Sequence, residues 1–355
     1  MLKEKVEMLQ LPVPKDRTGM LELLYSQEYG FPPPVPERVW AETLACREDA
    51  WAGKAVEKRM QLWVETSQGR AGFPFCLTIP KKEKRPMTAV FLSFERAIPN
   101  RYYPAEEIVD EGLAVACLCY EDVACDRDDG FQDPLPRLLR SGAQPSDGWG
   151  KLSLWAWAAS RVADYLITLP ELDTDNLAVL GHSRLGKTAL LAAAGDERFM
   201  FAMSNDSGCS GAALARGTQG ETVEDICARF PYWFCPNYQA YRGHEAAMPF
   251  DQHFLLKAIE PRYVYVASAA QDAWADPAQE YLACVAAGGM IHPDRMPECG
   301  DAFQEGRLGY HMRDGGHFLS RYDWAGFIRF MRTHRRRAAE GAGHVESARG
   351  GGNHG

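Results

Sequence analysis

Along the middle of the chain, short and largely apolar runs at 88–94, 113–119, 176–180, 199–204, 263–268 and 308–312 are separated by longer mixed stretches. Runs of this length without polar alternation predict strands buried on both faces. Between them, residues 155–169 carry apolar positions at helical spacing and stop just before Pro170. Residues 188–194 read as a second helix, built from small and aliphatic side chains. Strand and helix in alternation predict a doubly wound, mostly parallel sheet covered on both faces, a three-layer α/β domain over 61–335. The strands are expected to begin with 72–80. Residues 1–60, with Pro32, Pro33, Pro34 and many charges, read as an N-terminal arm packing on the core. The acidic, proline- and glycine-containing stretch 121–149 reads as a long surface loop near the site, and 336–355 as a disordered tail. No internal repeat is present.

The sharpest local pattern is Gly181-His182-Ser183-Arg184-Leu185-Gly186-Lys187. It joins the strand at 176–180 to the helix at 188–194, the strand–turn–helix setting of a nucleophile elbow. Such a turn lifts a serine hydroxyl above the sheet edge and points the first helical amides at a developing oxyanion. The second glycine of the usual G-x-S-x-G falls one place late, at Gly186. A partner base is expected on a flexible loop after the last strand, and Gly315-Gly316-His317 supplies one. His311 lies in strand-like alternation and reads as structural. The acid should lie between serine and histidine in the chain. Asp206 follows the strand at 199–204 and Asp272 follows that at 263–268, so both stand where α/β sites are built. The residues leave the two open.

These pieces resemble the glucuronoyl esterases, carbohydrate esterase family 15, in their bacterial branch. The likeness lies in G-C/H-S-R-x-G-K at 181–187, then in 204–214, 220–223, 232–235, 251–253, 272–277, 309–311 and 315–317, in that order. The looser description acetyl xylan esterase-like attaches to similar sequences. The resemblance implies an α/β-hydrolase fold, with Ser183 as nucleophile and His317 as base. It places the acid at Asp206, where the family commonly carries glutamate, with Asp272 able to share or take that role. It assigns Arg184 to the oxyanion hole, Lys187 to sugar hydroxyls, and Glu221 and Trp274 to the uronate subsite; Arg229 is a further candidate for the substrate carboxyl side. His182 stands where fungal members have cysteine and is expected to point away from substrate. The implied reaction is hydrolysis of a (4-O-methyl-)glucuronic acid ester through an acyl-enzyme. Removal of acetyl groups from sugars is the alternative.

Composition narrows the partners. The 355 residues are 46% hydrophobic, enough to fill a large core, and the net charge of -9 disfavours nucleic acid and anionic membranes. No apolar run is long enough to span a bilayer. The charged start, residues 1–8, lacks the apolar core of a signal peptide. Ten cysteines occur without CxxC pairs, and Cys76, Cys117 and Cys119 sit inside apolar runs. Free buried thiols point to a reducing, cytoplasmic setting. There, an imported oligosaccharide or another small ester is the expected substrate, with no metal or cofactor required. The oligomeric state is left open.

Overall fold

Ten strands form one sheet: β1 (Arg38–Ala50), β2 (Ala55–Thr66), β3 (Gly69–Pro80), β4 (Met87–Ser93), β5 (Ala114–Cys119), β6 (Asp173–His182), β7 (Phe201–Asn205), β8 (Tyr263–Ala269), β9 (Ala302–Phe303) and β10 (Leu308–Arg313). Their order is β1-β2-β3-β5-β4-β6-β7-β8-β10-β9. From β5 to β10 the neighbours run parallel. The first three strands make an antiparallel extension joined to β5, and β9 is a short antiparallel addition to β10. This computed structural model describes residues 2–336 apart from Ser141 and Ala143.

Every residue of β4, β5, β7 and β10 is buried. Helices cover both faces of these strands, which is why no polar alternation survives in their sequence. On one face the helices Lys151–Leu166 and Arg184–Gly195 pack against the sheet through Trp155, Ala159, Leu190 and Ala193. On the other, Ile108 from Ala105–Asp110 and Trp324 and Phe327 from Arg321–His334 close a second core. Helix, sheet and helix give the three layers expected.

The N-terminal expectation is corrected. Helices Leu2–Met8 and Arg17–Leu24 do wrap the core, but β1 and the start of β2 fall within 1–60 and belong to the sheet. Residues of β1 from Glu42 to Asp49 are exposed, because the strand is an edge with little covering either face. A strand solvated on both faces has no reason to alternate, so its sequence reads as a polar arm. The stretch 121–149 is not a bare loop. It contains the helix Pro134–Leu139 and is pinned from beneath by Lys151. The wholly buried Lys151 ammonium donates to the carbonyls of Cys125 and Arg127 and to the Asp129 carboxylate. At the far end, Arg336 exchanges hydrogen bonds with the Asn176 side chain (2.8 and 3.0 Å), so the fold extends one residue into the expected tail. The rest of that tail, 337–355, lies outside the described residues.

Candidate active site

The C-terminal ends of β6, β7, β8 and β10 open onto one cavity of about 350 Å³. Its walls include all nine residues singled out from the sequence: Ser183, His317, Asp206, Asp272, Arg184, Lys187, Glu221, Trp274 and Arg229. Parallel α/β sheets build sites at these strand ends, where loops from several strands converge.

Ser183 leaves β6 with φ 56° and ψ -127°, a conformation costly for a residue with a Cβ. Its N–H donates to the Asn205 carbonyl at 2.9 Å, while its own carbonyl accepts from Gly186 N–H at 2.8 Å. The turn is thus held from both sides. A Cβ at Gly181 would sit 1.9 Å from the Leu185 carbonyl oxygen, and one at Gly186 only 2.9 Å from Ser204 Oγ. Gly186 is where the helix crosses the end of β7, which explains why the second glycine comes a residue late.

His317 sits on the loop after β10 and donates through Nδ1 to Asp272 Oδ2 at 2.5 Å. Its side chain is 44% exposed, whereas that of Asp272 is 4% exposed. Burial pushes the Asp272 carboxyl up, but the His317 hydrogen bond and its charge outweigh this and hold the group below the usual range. Asp206 is bonded elsewhere. Its Oδ1 accepts from Ala269 N–H at 2.8 Å, and Oδ2 faces Phe318 N–H at 3.3 Å and Arg313 at 3.5 Å. Burial, reinforced by Glu280 and Asp272, pushes Asp206 up to about 9. Ligand-type atoms of Asp206, Asp272 and His317 lie within 4.8 Å of one another. Within this set Asp272 and His317 are bonded to each other and Asp206 to backbone amides. His311, by contrast, is buried in β10 between Tyr265 and Asp323.

On the other side of Ser183, Lys187 is 5% exposed, so it is a wall of the cavity and not a solvated helix lysine. Its ammonium donates to the Ser207 and Cys209 carbonyls and lies 3.8 Å from Glu221. Trp274, 48% exposed, presents an open indole with the Arg229 guanidinium 5.4 Å from its ring. Arg184 pairs with Asp126, and its guanidinium lies 4.9 Å from the Trp233 ring. Its Nε is buried without a partner among the described residues.

Several neighbours escaped the sequence reading. Phe230 and Trp233 line the cavity and stack at 4.0 Å, yet Trp233 stood only inside a matched segment with no role attached. Asp126 lay in a stretch read as an acidic surface loop near the site, with no role attached. His182 does not line the cavity, but its ring centroid is 4.5 Å from that of His317. Burial and the neighbouring His317 lower its pKa to about 3, and Nδ1 pairs with Asn205 Oδ1 at 2.7 Å. A neutral imidazole therefore flanks the exposed one. Spacing along a chain carries no trace of such lateral packing.

Fold and strand-end site together define an α/β-hydrolase. Residues 62–294 match the family model described as "Glucuronyl esterase, fungi". Carbohydrate esterase MZ0003, from an unidentified prokaryote, is 34% identical over 299 residues, covering 80% of this chain and 66% of that protein. The 4-O-methyl-glucuronoyl methylesterase of Hypocrea jecorina is 33% identical over 151 residues, 40% of this chain and 32% of that one. Among solved structures, a glucuronoyl esterase from Solibacter usitatus superimposes with a TM-score of 0.82 at 30% identity, covering 90% of this chain and 92% of that one. The chain belongs to the glucuronoyl esterase family. It spans about two thirds of the first curated relative's length and about a third of the second's.

Proposed function

We propose that this chain is a serine carboxylic-ester hydrolase acting on esters of (4-O-methyl-)glucuronic acid. The observation that carries the reading is the convergence on one cavity of a strained elbow serine, a histidine backed by a buried carboxylate, and a polar wall ending in an open indole. In this reading His317, with Nδ1 held by Asp272, takes the Ser183 proton as the hydroxyl attacks the ester carbonyl. The unpartnered Arg184 Nε–H and the first amides of the helix Arg184–Gly195 receive the oxyanion. His317 then protonates the leaving alcohol, and water releases the acid. Asp206 serves as a bracket: it ties the strand end carrying Asp272 to the loop carrying His317.

Lys187, Glu221, Trp274 and Arg229 favour a sugar acid as the acyl group. A cavity of about 350 Å³ falls within the range of small-ligand sites, roughly 300–1,000 Å³, and is far larger than an acetyl group needs. Cations and an acceptor opposite an indole suit a ring with a carboxyl and vicinal hydroxyls. The names of the relatives point the same way.

The test is hydrolysis of benzyl glucuronate beside an acetylated xylo-oligosaccharide and 4-nitrophenyl acetate. Glucuronate turnover is expected, and Ser183→Ala should lower kcat by roughly 10⁴-fold or more. A mutant retaining above about a hundredth of wild-type activity would refute the nucleophile. Turnover of the acetates alone would move the protein to sugar deacetylation.

A further inference from the structure

Arg184 is not free to wander in the cavity, and the reason lies far away in the chain. Asp126, whose side chain is 4% exposed, gathers four donors. Trp233 Nε1–H and Tyr232 O–H donate to Oδ1 at 2.7 and 3.1 Å. Tyr120 O–H donates to Oδ2 at 3.3 Å, and Arg184 pairs with the same oxygen. The backbone on which Asp126 sits is fastened on both sides, since the buried Lys151 grips the carbonyls of Cys125 and Arg127. Around the guanidinium stand three rings, those of Trp233, Phe230 and Phe94, at 4.9, 5.4 and 5.7 Å. One end of the guanidinium is therefore clamped and its faces are enclosed. The other N–H groups, at Nε and Nη2, carry no hydrogen bond to the described residues, and of the two it is Nε that is buried. A buried donor left unpaired is costly and persists only where something else compensates or completes it.

We propose that Asp126 is a positioning residue for ester cleavage: it clamps one end of the Arg184 guanidinium so that Nε–H is held ready for the oxygen of the scissile carbonyl. The inference rests on the reading of the cavity as an esterase site. Asp126 touches neither Ser183 nor the cavity space, so it acts on the site through the groups it holds, Arg184 foremost and the cavity-wall Trp233 beside it. The carboxylate adds no positive potential, and its contribution is orientation, which counts because a donor displaced by an ångström loses most of its value to a transition state.

A double-mutant cycle distinguishes this from a carboxylate that merely satisfies four donors. Asp126→Ala, Arg184→Ala and the double variant are assayed with benzyl glucuronate, together with the rate at which a fluorophosphonate labels Ser183. Asp126→Ala should lower kcat and the labelling rate about 10- to 100-fold, with KM within about threefold. In the Arg184→Ala background the same change should cost less than about threefold. Its effect on Tm should be smaller in the Arg184→Ala background, where no guanidinium is left unpaired. Equal losses in the two backgrounds, or a loss confined to KM, would overturn the proposal. Should Asp126→Ala fail to fold, Asp126→Asn, which keeps the shape and one acceptor oxygen, runs the same cycle with a smaller expected loss. If wild type turns over no ester and Ser183 takes no label, it is the esterase reading that fails.

Discussion

β7 and β8 are adjacent parallel strands, and each ends in a loop bearing an aspartate at the rim of the same cavity. In sequence the two loops look interchangeable. In the fold they differ in what faces each carboxylate. Asp272 meets the imidazole of His317 and is held in its charged form. Asp206 turns under the rim with φ 43°, meets backbone amides, and lies among carboxylates, Glu280 and Asp272, that favour its protonated form. Glu280 itself, fully buried, is pushed up to about 7. Two like groups with opposed environments divide the labour of one site. The one beside the imidazole keeps its charge, and the one behind it ties the loops together.

The sharpest way to break this comparison is to neutralise each carboxylate in turn. Asp272→Asn should lower kcat for benzyl glucuronate by on the order of 10³–10⁴, since the imidazole loses the acceptor that fixes its tautomer. Equal damage from the two substitutions would erase the distinction. Asp206→Asn should lower kcat by less than about tenfold, because a proton already sits on that group near neutral pH. It should instead lower Tm by a few degrees as the Phe318 amide loses an acceptor, measured by thermal unfolding. The remaining test is the pH dependence of stability. Asp206 keeps its proton up to about 9 in the folded state and releases it near 4 when unfolded. The folded state thus binds more protons between these values. The contribution is whole below about pH 4 and is lost as pH rises towards 9. The Tm gap between wild type and Asp206→Asn should therefore shrink from pH 5 to pH 9, and a gap that widens would contradict the assignment.

How far the site was legible depends on how local each residue's reason is. Gly181 and Ser183 are bound to one turn by sterics within six residues, so the elbow shows in the sequence, whereas the late place of Gly186 answers to Ser204 of β7. The loop at Gly315–His317 was legible for the same reason. Lys187 was legible as a position on the helix but not as a buried side chain, because Ser207, Cys209 and Glu221, which hold it, come from other segments. Asp126, in a loop read only as near the site, and His182, expected to point away from substrate, carried no sign of what they touch. Each owes its place to rings and donors brought together from loops that the chain keeps apart by tens of residues.

The sequence by itself determined the layered α/β architecture, because strands buried on both faces must be apolar throughout, and it put Ser183, His317, Asp206 and Asp272 at strand ends of one sheet edge, because turn geometry restricts such positions. Tertiary structure alone decided that Asp272 and not Asp206 meets the imidazole, and that β1 is a strand. Hydrogen-bond direction and local dielectric depend on what packs alongside, and an edge open to water leaves no hydrophobic trace of its pairing.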